Sequence, residues 1–168
     1  LKLKKNGKII TDLDYVALDT TNNELAIIQL KWQQPTGLDV QSKRSAAKNF
    51  VKQGNDWISK VVSWLDKYGT AELAKKTGFS ERSDIKVSLF MIGRYEAYFS
   101  GDLERDNRAI WTDWNQFLKM YYENPNVTFT QIRSIMDIEI SDAAKTVELS
   151  TMVPLGEIAL IINPSGTP

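Results

Sequence analysis

The first fourteen residues, LKLKKNGKIITDLD, alternate apolar and polar positions on either side of Asn6-Gly7. A type I′ turn needs positive φ at both central residues, so this dipeptide between alternating runs predicts a β-hairpin. YVALD (15–19) extends the hairpin's second strand. TTNN (20–23) has turn chemistry, and ELAIIQLKW (24–32) carries apolar residues on both faces, as a buried strand does. The chain is expected to open as an antiparallel meander.

From about Val40 the period lengthens. Ala47, Phe50, Val51, Ile58, Val61 and Leu65 recur at helical spacing as far as Tyr68, with Gly54 as the expected weak point. GTAELAKKTG (69–78) predicts a short helix, DIKVSLFMIG (84–93) a second buried strand, RYEAYF (94–99) a further strand and GDLERDNR (101–108) a charged loop. AIWTDWNQFLKMYY (109–122) predicts a helix with Trp111, Trp114, Phe117, Leu118 and Tyr121 on one face, stopped at Asn124-Pro125. TVELSTMV (146–153) and GEIALIIN (156–163) predict two late strands around a Pro154-Leu155-Gly156 turn. The order β-β-β-α-(α)-β-α-β-β is that of an α/β protein of the α+β kind, a mixed sheet with helices packed on it. No repeat or linker divides the chain, so residues 1–168 are expected to form a single domain. Because a strand pattern begins at Leu1, that domain is expected to be part of a longer protein with other domains.

Composition narrows the chemistry. With 168 residues, 42% hydrophobic and 25% charged, the chain can bury a substantial core. Neither cysteine nor histidine occurs, which removes disulfides, thiolate zinc sites, cysteine nucleophiles and histidine-based triads or metal sites. Catalysis must therefore rest on carboxylates, amides, lysines and hydroxyls around a hard cation. Lys and Arg total 21 and Asp and Glu total 21, so attraction to a polyanion must come from a local patch. No apolar run approaches the roughly 20 residues of a membrane span, and no signal peptide is apparent, so a cytoplasmic protein is expected.

Four polar groups stand out against this background. Asp12 and Asp14 share one face of their strand, and Gln29 and Lys31 share one face of theirs. Pairing through the TTNN turn would gather them near one end of the sheet. Such a cluster must be paired, hydrated or occupied by a cation, because an unpaired buried charge costs several kcal/mol.

Asp14 on one strand, Gln29-Leu30-Lys31 on the next and a helix after it resemble the PD-(D/E)XK superfamily of metal-dependent nucleases, over residues 8 to 66. The resemblance implies a restriction-endonuclease-like core and hydrolysis of DNA phosphodiester bonds with Mg²⁺ or Mn²⁺. In that reading Asp14 is the main metal ligand, joined by the Gln29 side-chain oxygen and a backbone carbonyl near Leu30. Lys31 stands beside the attacking water or scissile phosphate, and Asp12 is an accessory group. Gln53 and Trp57 resemble the Gln-x-x-x-Tyr element of exonuclease-type members, and Lys43, Arg44, Lys48 and Lys52 offer local phosphate contacts. The implied partner is DNA, with a homodimer as the form in which many endonucleases of this fold cut both strands.

Two departures are visible. The family usually has a carboxylate where this chain has Gln29; an amide oxygen binds a hard cation without formal charge, so weaker metal affinity is expected. A helix carrying a glutamate often precedes the first strand, and would have to lie upstream of Leu1. The alternative is a catalytically inactive nuclease-like module that binds nucleic acid or acts as a scaffold. A further alternative is an unrelated mixed α/β interaction domain with a structural Asp-Lys pair.

Overall fold

The computed structural model describes residues 1–32, 39–79, 84–94, 104–136, 151–155 and 158–162. Two compact units are present, Leu1–Thr130 and Gln131–Pro168.

In the first unit, β1 (Lys2–Lys5) and β2 (Lys8–Asp12) form the expected hairpin, with Asn6 at φ 52° and Gly7 at φ 79°. The second strand does not continue into YVALD as one piece. Leu13, 1% exposed, still bonds back to the hairpin, donating its N–H to the Leu1 carbonyl at 2.6 Å. The chain then bends at Asp14 and enters a different sheet as β3 (Tyr15–Asp19).

That sheet has the order β3-β4-β5-β6. β4 (Glu24–Lys31) pairs antiparallel with β3, and β5 (Lys86–Gly93) and β6 (Ala109–Asp113) follow in parallel. The expected mixed sheet is thus present, with β6 falling where a helix was predicted. The periodicity read through 109–122 ran across a junction: Ala109–Asp113 is extended, and Asp113 caps α2 (Trp114–Glu123) by accepting from Asn115 and Gln116 N–H groups at 2.8 and 3.0 Å. Trp111 is therefore a buried strand residue, whereas Trp114 and Tyr121 are exposed. The helix ends at Asn124, as expected.

α1 (Val40–Lys76) crosses between β4 and β5, interrupted only at Gly69, whose φ of 79° and ψ of 165° are non-helical. The two predicted helices are these two pieces. Asp39 caps the start through Gln41 and Ser42, and the bonds to the Ser42 hydroxyl and N–H hold its carboxyl below the usual range. At the other end Phe79 N–H reaches Ala74 O and Gly78 N–H reaches Lys75 O, a Schellman stop with Gly78 at φ 81°. Gly54 is not a break. A Cβ there would overlap the Trp111 ring, with Cζ3 at 2.8 Å, so the missing side chain is what lets helix and strand approach.

Strand alternation assigns the two faces. Leu25, Ile27, Leu89, Met91, Ala109 and Trp111 share one core with Phe50, Trp57, Ile58, Val61 and Trp64 of α1. Phe90 points the other way, edge-on to Phe117 of α2 at 6.0 Å and to Phe129 at 6.3 Å. Phe129 opens α3, the helical stretch over 129–136. Among the described residues no helix is long and apolar enough to cross a membrane.

In the second unit, β7 (Thr151–Leu155) and β8 (Ile158–Ile162) pair antiparallel. Pro154 is in register with Ala159 inside the strand, not in a turn. The strand predicted at 94–99 lies outside the described residues from Tyr95 onward.

Candidate functional site

The α1-facing surface of the sheet changes character toward the carboxyl ends of β4 and β5. Along β4 the inward series runs Leu25, Ile27, Gln29, Lys31, from apolar to polar, and exposure rises with it. Ile27 is 0% exposed, Gln29 is 5% exposed and Lys31 is half-buried. Lys31 is in register with Gly93, which adds no side chain beside it. β3 runs antiparallel, so its amino end lies at this same edge. The pairing of Tyr15 with Ile28 brings Asp14 next to Gln29.

These residues meet. Asp14 Oδ2 accepts from Gln29 Nε2 at 2.7 Å and from the Leu30 N–H at 2.8 Å. The second bond has a clear local cause. β3 begins at Tyr15, so no ladder carbonyl faces Leu30, and the Asp14 side chain takes that place. The first bond fixes the amide's orientation, since the reverse would press Oε1 against the carboxylate. It also leaves Gln29 Oε1 buried with no hydrogen-bond partner. An unsatisfied buried acceptor costs about 1–3 kcal/mol.

Asp14, Gln29 and Leu30 are thus brought together, with Lys31 on the same face as Gln29. What Leu30 contributes to this contact is its N–H, not its carbonyl. Asp12 is exposed and in register with Lys2 at the end of the hairpin. Trp57, the aromatic of the Gln-x-x-x-Tyr resemblance, is 4% exposed and donates its indole N–H to the Asp12 carbonyl at 2.8 Å. Its large apolar ring is core, and its one polar atom anchors the strand two residues before Asp14. Gln53, one turn earlier, is exposed. Lys43, Arg44, Lys48 and Lys52 are all exposed on the first half of α1. At 100° per residue, Arg44, Lys48 and Lys52 occupy one flank, while Lys43 is in line with the sheet-facing Ala47, Phe50 and Gly54. Trp32, which follows Lys31, is 73% exposed, with the Arg94 guanidinium 4.2 Å from its ring centroid.

Several residues that hold the fold together away from this edge carried no sequence signal. Asn55 clamps the 104–106 loop to α1 through Glu104 O and Asp106 N–H, each at 2.9 Å, and Trp111 donates to Asp106 O at 2.9 Å. Arg108 grips Asp106 through Nε at 2.9 Å and Nη2 at 2.6 Å, and this bond holds the Asp106 carboxyl below the usual range. Glu24, 3% exposed, accepts from Thr130 N–H and Oγ1 at 3.0 and 2.7 Å. Such pairs join residues far apart in the chain, and no local spacing marks them.

Asp14 Oδ1 and Gln29 Oε1 are hard oxygens, and Mg²⁺ is usually held by one or two protein ligands with waters and phosphate oxygens completing the shell. Among the described residues no three carboxylates cluster. No protein-family model, curated protein or solved structure matches the chain.

Proposed function

We propose that this chain is a restriction-endonuclease-like module of the PD-(D/E)XK kind that hydrolyses DNA phosphodiester bonds. The observation that carries this reading is the direct contact of Asp14 with Gln29 at 2.7 Å, beside Lys31 on the same face and at the carboxyl edge of the sheet. Asp14 and Gln29 would hold Mg²⁺, with Leu30 as the adjoining backbone position. A bound Mg²⁺ would supply charge neutralisation and water activation at the phosphate. Lys31 places an ammonium where charge accumulates on the phosphate oxygens, and its half-buried setting strengthens that interaction over the same pair in open water. Trp57, through the Asp12 carbonyl, keeps the Asp14 bend in place.

A second reading has its own observation. Gln29 Nε2 and Leu30 N–H together satisfy Asp14 Oδ2 without a cation, which suits a strand-end cap in a nuclease-like module that binds nucleic acid without cutting it.

Incubation of supercoiled plasmid and single-stranded DNA with the protein in Mg²⁺ or Mn²⁺ separates the two. Cutting that chelation abolishes, and that Asp14→Ala removes, supports the enzyme. Salt-dependent binding with intact DNA supports the inactive module.

A further inference from the structure

Away from the Asp14 edge, the β1–β2 hairpin and the second half of α1 enclose a groove of about 380 Å³. Its floor is Trp64, 2% exposed, whose indole N–H donates to the Lys4 carbonyl at 3.0 Å and fixes the hairpin on the helix. Ile10 and Tyr68 extend the floor, and the Tyr68 ring lies 5.0 Å from Trp64. The rim is basic. Lys5, Lys60 and Lys67 line it, with the hydroxyl groups of Ser59 and Ser63 between them.

Three features show that this charge is in excess of what the fold uses. The hairpin segment 1–13 carries four lysines, Lys2, Lys4, Lys5 and Lys8, against one carboxylate, Asp12, although the whole chain is neutral. Lys5 is directly opposite Lys8 across the antiparallel pair, an arrangement that is destabilising for like charges. Among the described residues Lys60 has an ion-pair partner, Asp56 at 2.6 Å, whereas Lys5, Lys8 and Lys67 form no ion pair. Lys67 is held instead over the Tyr68 ring at 5.2 Å. Lys60 and Lys67 are seven residues apart on α1, two turns on one side of the helix and about 10 Å along its axis.

We infer that this groove binds the sugar-phosphate backbone of a nucleic acid, as a second contact surface that holds the strand while the Asp14 edge acts on it. A groove with apolar walls and one sign of charge on its rim focuses the field on a polyanion. Ammonium groups spaced along a helix, with hydroxyls between them, suit a run of phosphates better than one compact anion. The role assigned to the Asp14 edge rests on the function proposed above; the binding itself does not.

The test is the salt dependence of binding to a labelled duplex, followed by fluorescence anisotropy without divalent metal between about 50 and about 200 mM salt, for the wild-type chain and for Lys5→Gln/Lys67→Gln. Each lost phosphate contact flattens the log–log slope by about 0.9, so the double variant should bind with a slope smaller by about 1.8. Affinity should be at least about tenfold weaker at the low-salt end, where Coulomb attraction is least screened. Equal thermal midpoints for the two proteins confirm that the comparison is between folded states. Slopes and affinities that coincide overturn the inference. So does a wild-type chain that ignores DNA but binds anionic vesicles through the same lysines. Binding that depends on Lys5 and Lys67 in a protein that never cuts upholds the groove and overturns the catalytic reading alone.

Discussion

Asp14 Oδ2 is 2.7 Å from Gln29 Nε2 and 2.8 Å from the Leu30 amide nitrogen, so one carboxylate oxygen joins the start of β3 to the end of β4 twice. A glutamate at 29 would set two carboxylates against each other at this distance, a repulsion that a shared proton or a cation relieves. With glutamine the pair is self-satisfied, at the expense of a buried Oε1 with no partner.

Gln29→Glu reverses that. Without divalent metal the variant should melt below the wild type, because two adjacent carboxylates repel and one is forced toward its protonated form. Adding Mg²⁺ should raise its midpoint more than the wild type's. A ligand at 100 times its Kd adds about 2.7 kcal/mol, a shift that scanning calorimetry resolves easily. Equal Mg²⁺ shifts in the two proteins would place residue 29 outside the metal's surroundings.

Gly54→Ala should destabilise the first unit by about 1–3 kcal/mol, the usual range for overpacking, since the added methyl meets the Trp111 ring. Trp111→Phe in the same chain should recover part of that loss by making room. Urea denaturation of the two single variants and the double variant measures the coupling.

Trp57→Phe keeps most of the apolar ring and removes the indole N–H that the Asp12 carbonyl accepts. A loss of about 1–3 kcal/mol is expected from the orphaned carbonyl. Because Asp12 precedes the bend, hydrogen exchange of the Leu30 amide should quicken in this variant more than exchange at Val61. Uniform quickening would mean that the ring's packing alone matters.

Asp106 contributes to the pH dependence of stability. Arg108 holds its carboxyl below the ordinary carboxylate value, so the contribution is fully present above about pH 4 and is lost as pH falls through the lowered folded-state value. The pair is partly exposed, so its contribution is about 1 kcal/mol or less. Arg108→Ala should flatten the acid side of the stability curve measured by urea titration at successive pH values.

How far the sequence carried varies by residue. Asn6-Gly7, the TTNN turn, β4 and both pieces of α1 were legible because turn chemistry and period are local. The bend at Asp14 was not, since nothing between Asp12 and Tyr15 interrupts the alternation; the break comes from Leu13 bonding back to Leu1 while Tyr15 pairs with Ile28. β6 was missed because its aromatic spacing runs on into α2. Of the site, the meeting of Asp14 and Gln29 followed from strand pairing. The anchoring of Asp12 by Trp57 and of the 104–106 loop by Asn55 did not, because each depends on α1 lying against a segment distant in the chain.

Lys31 gives the most direct test of the central claim, since removing its ammonium leaves the Asp14–Gln29 bond and the apolar core intact. Single-turnover cleavage of an end-labelled DNA in saturating Mg²⁺ should be at least about 10²-fold slower for Lys31→Ala than for the wild-type chain, the usual loss when one stabiliser of transition-state charge is removed, with the thermal midpoint unchanged. A Lys31→Ala protein that cuts within about threefold of the wild-type rate, or a wild-type protein that does not cut at all, would contradict the assignment of this edge as a phosphodiester-hydrolysing site.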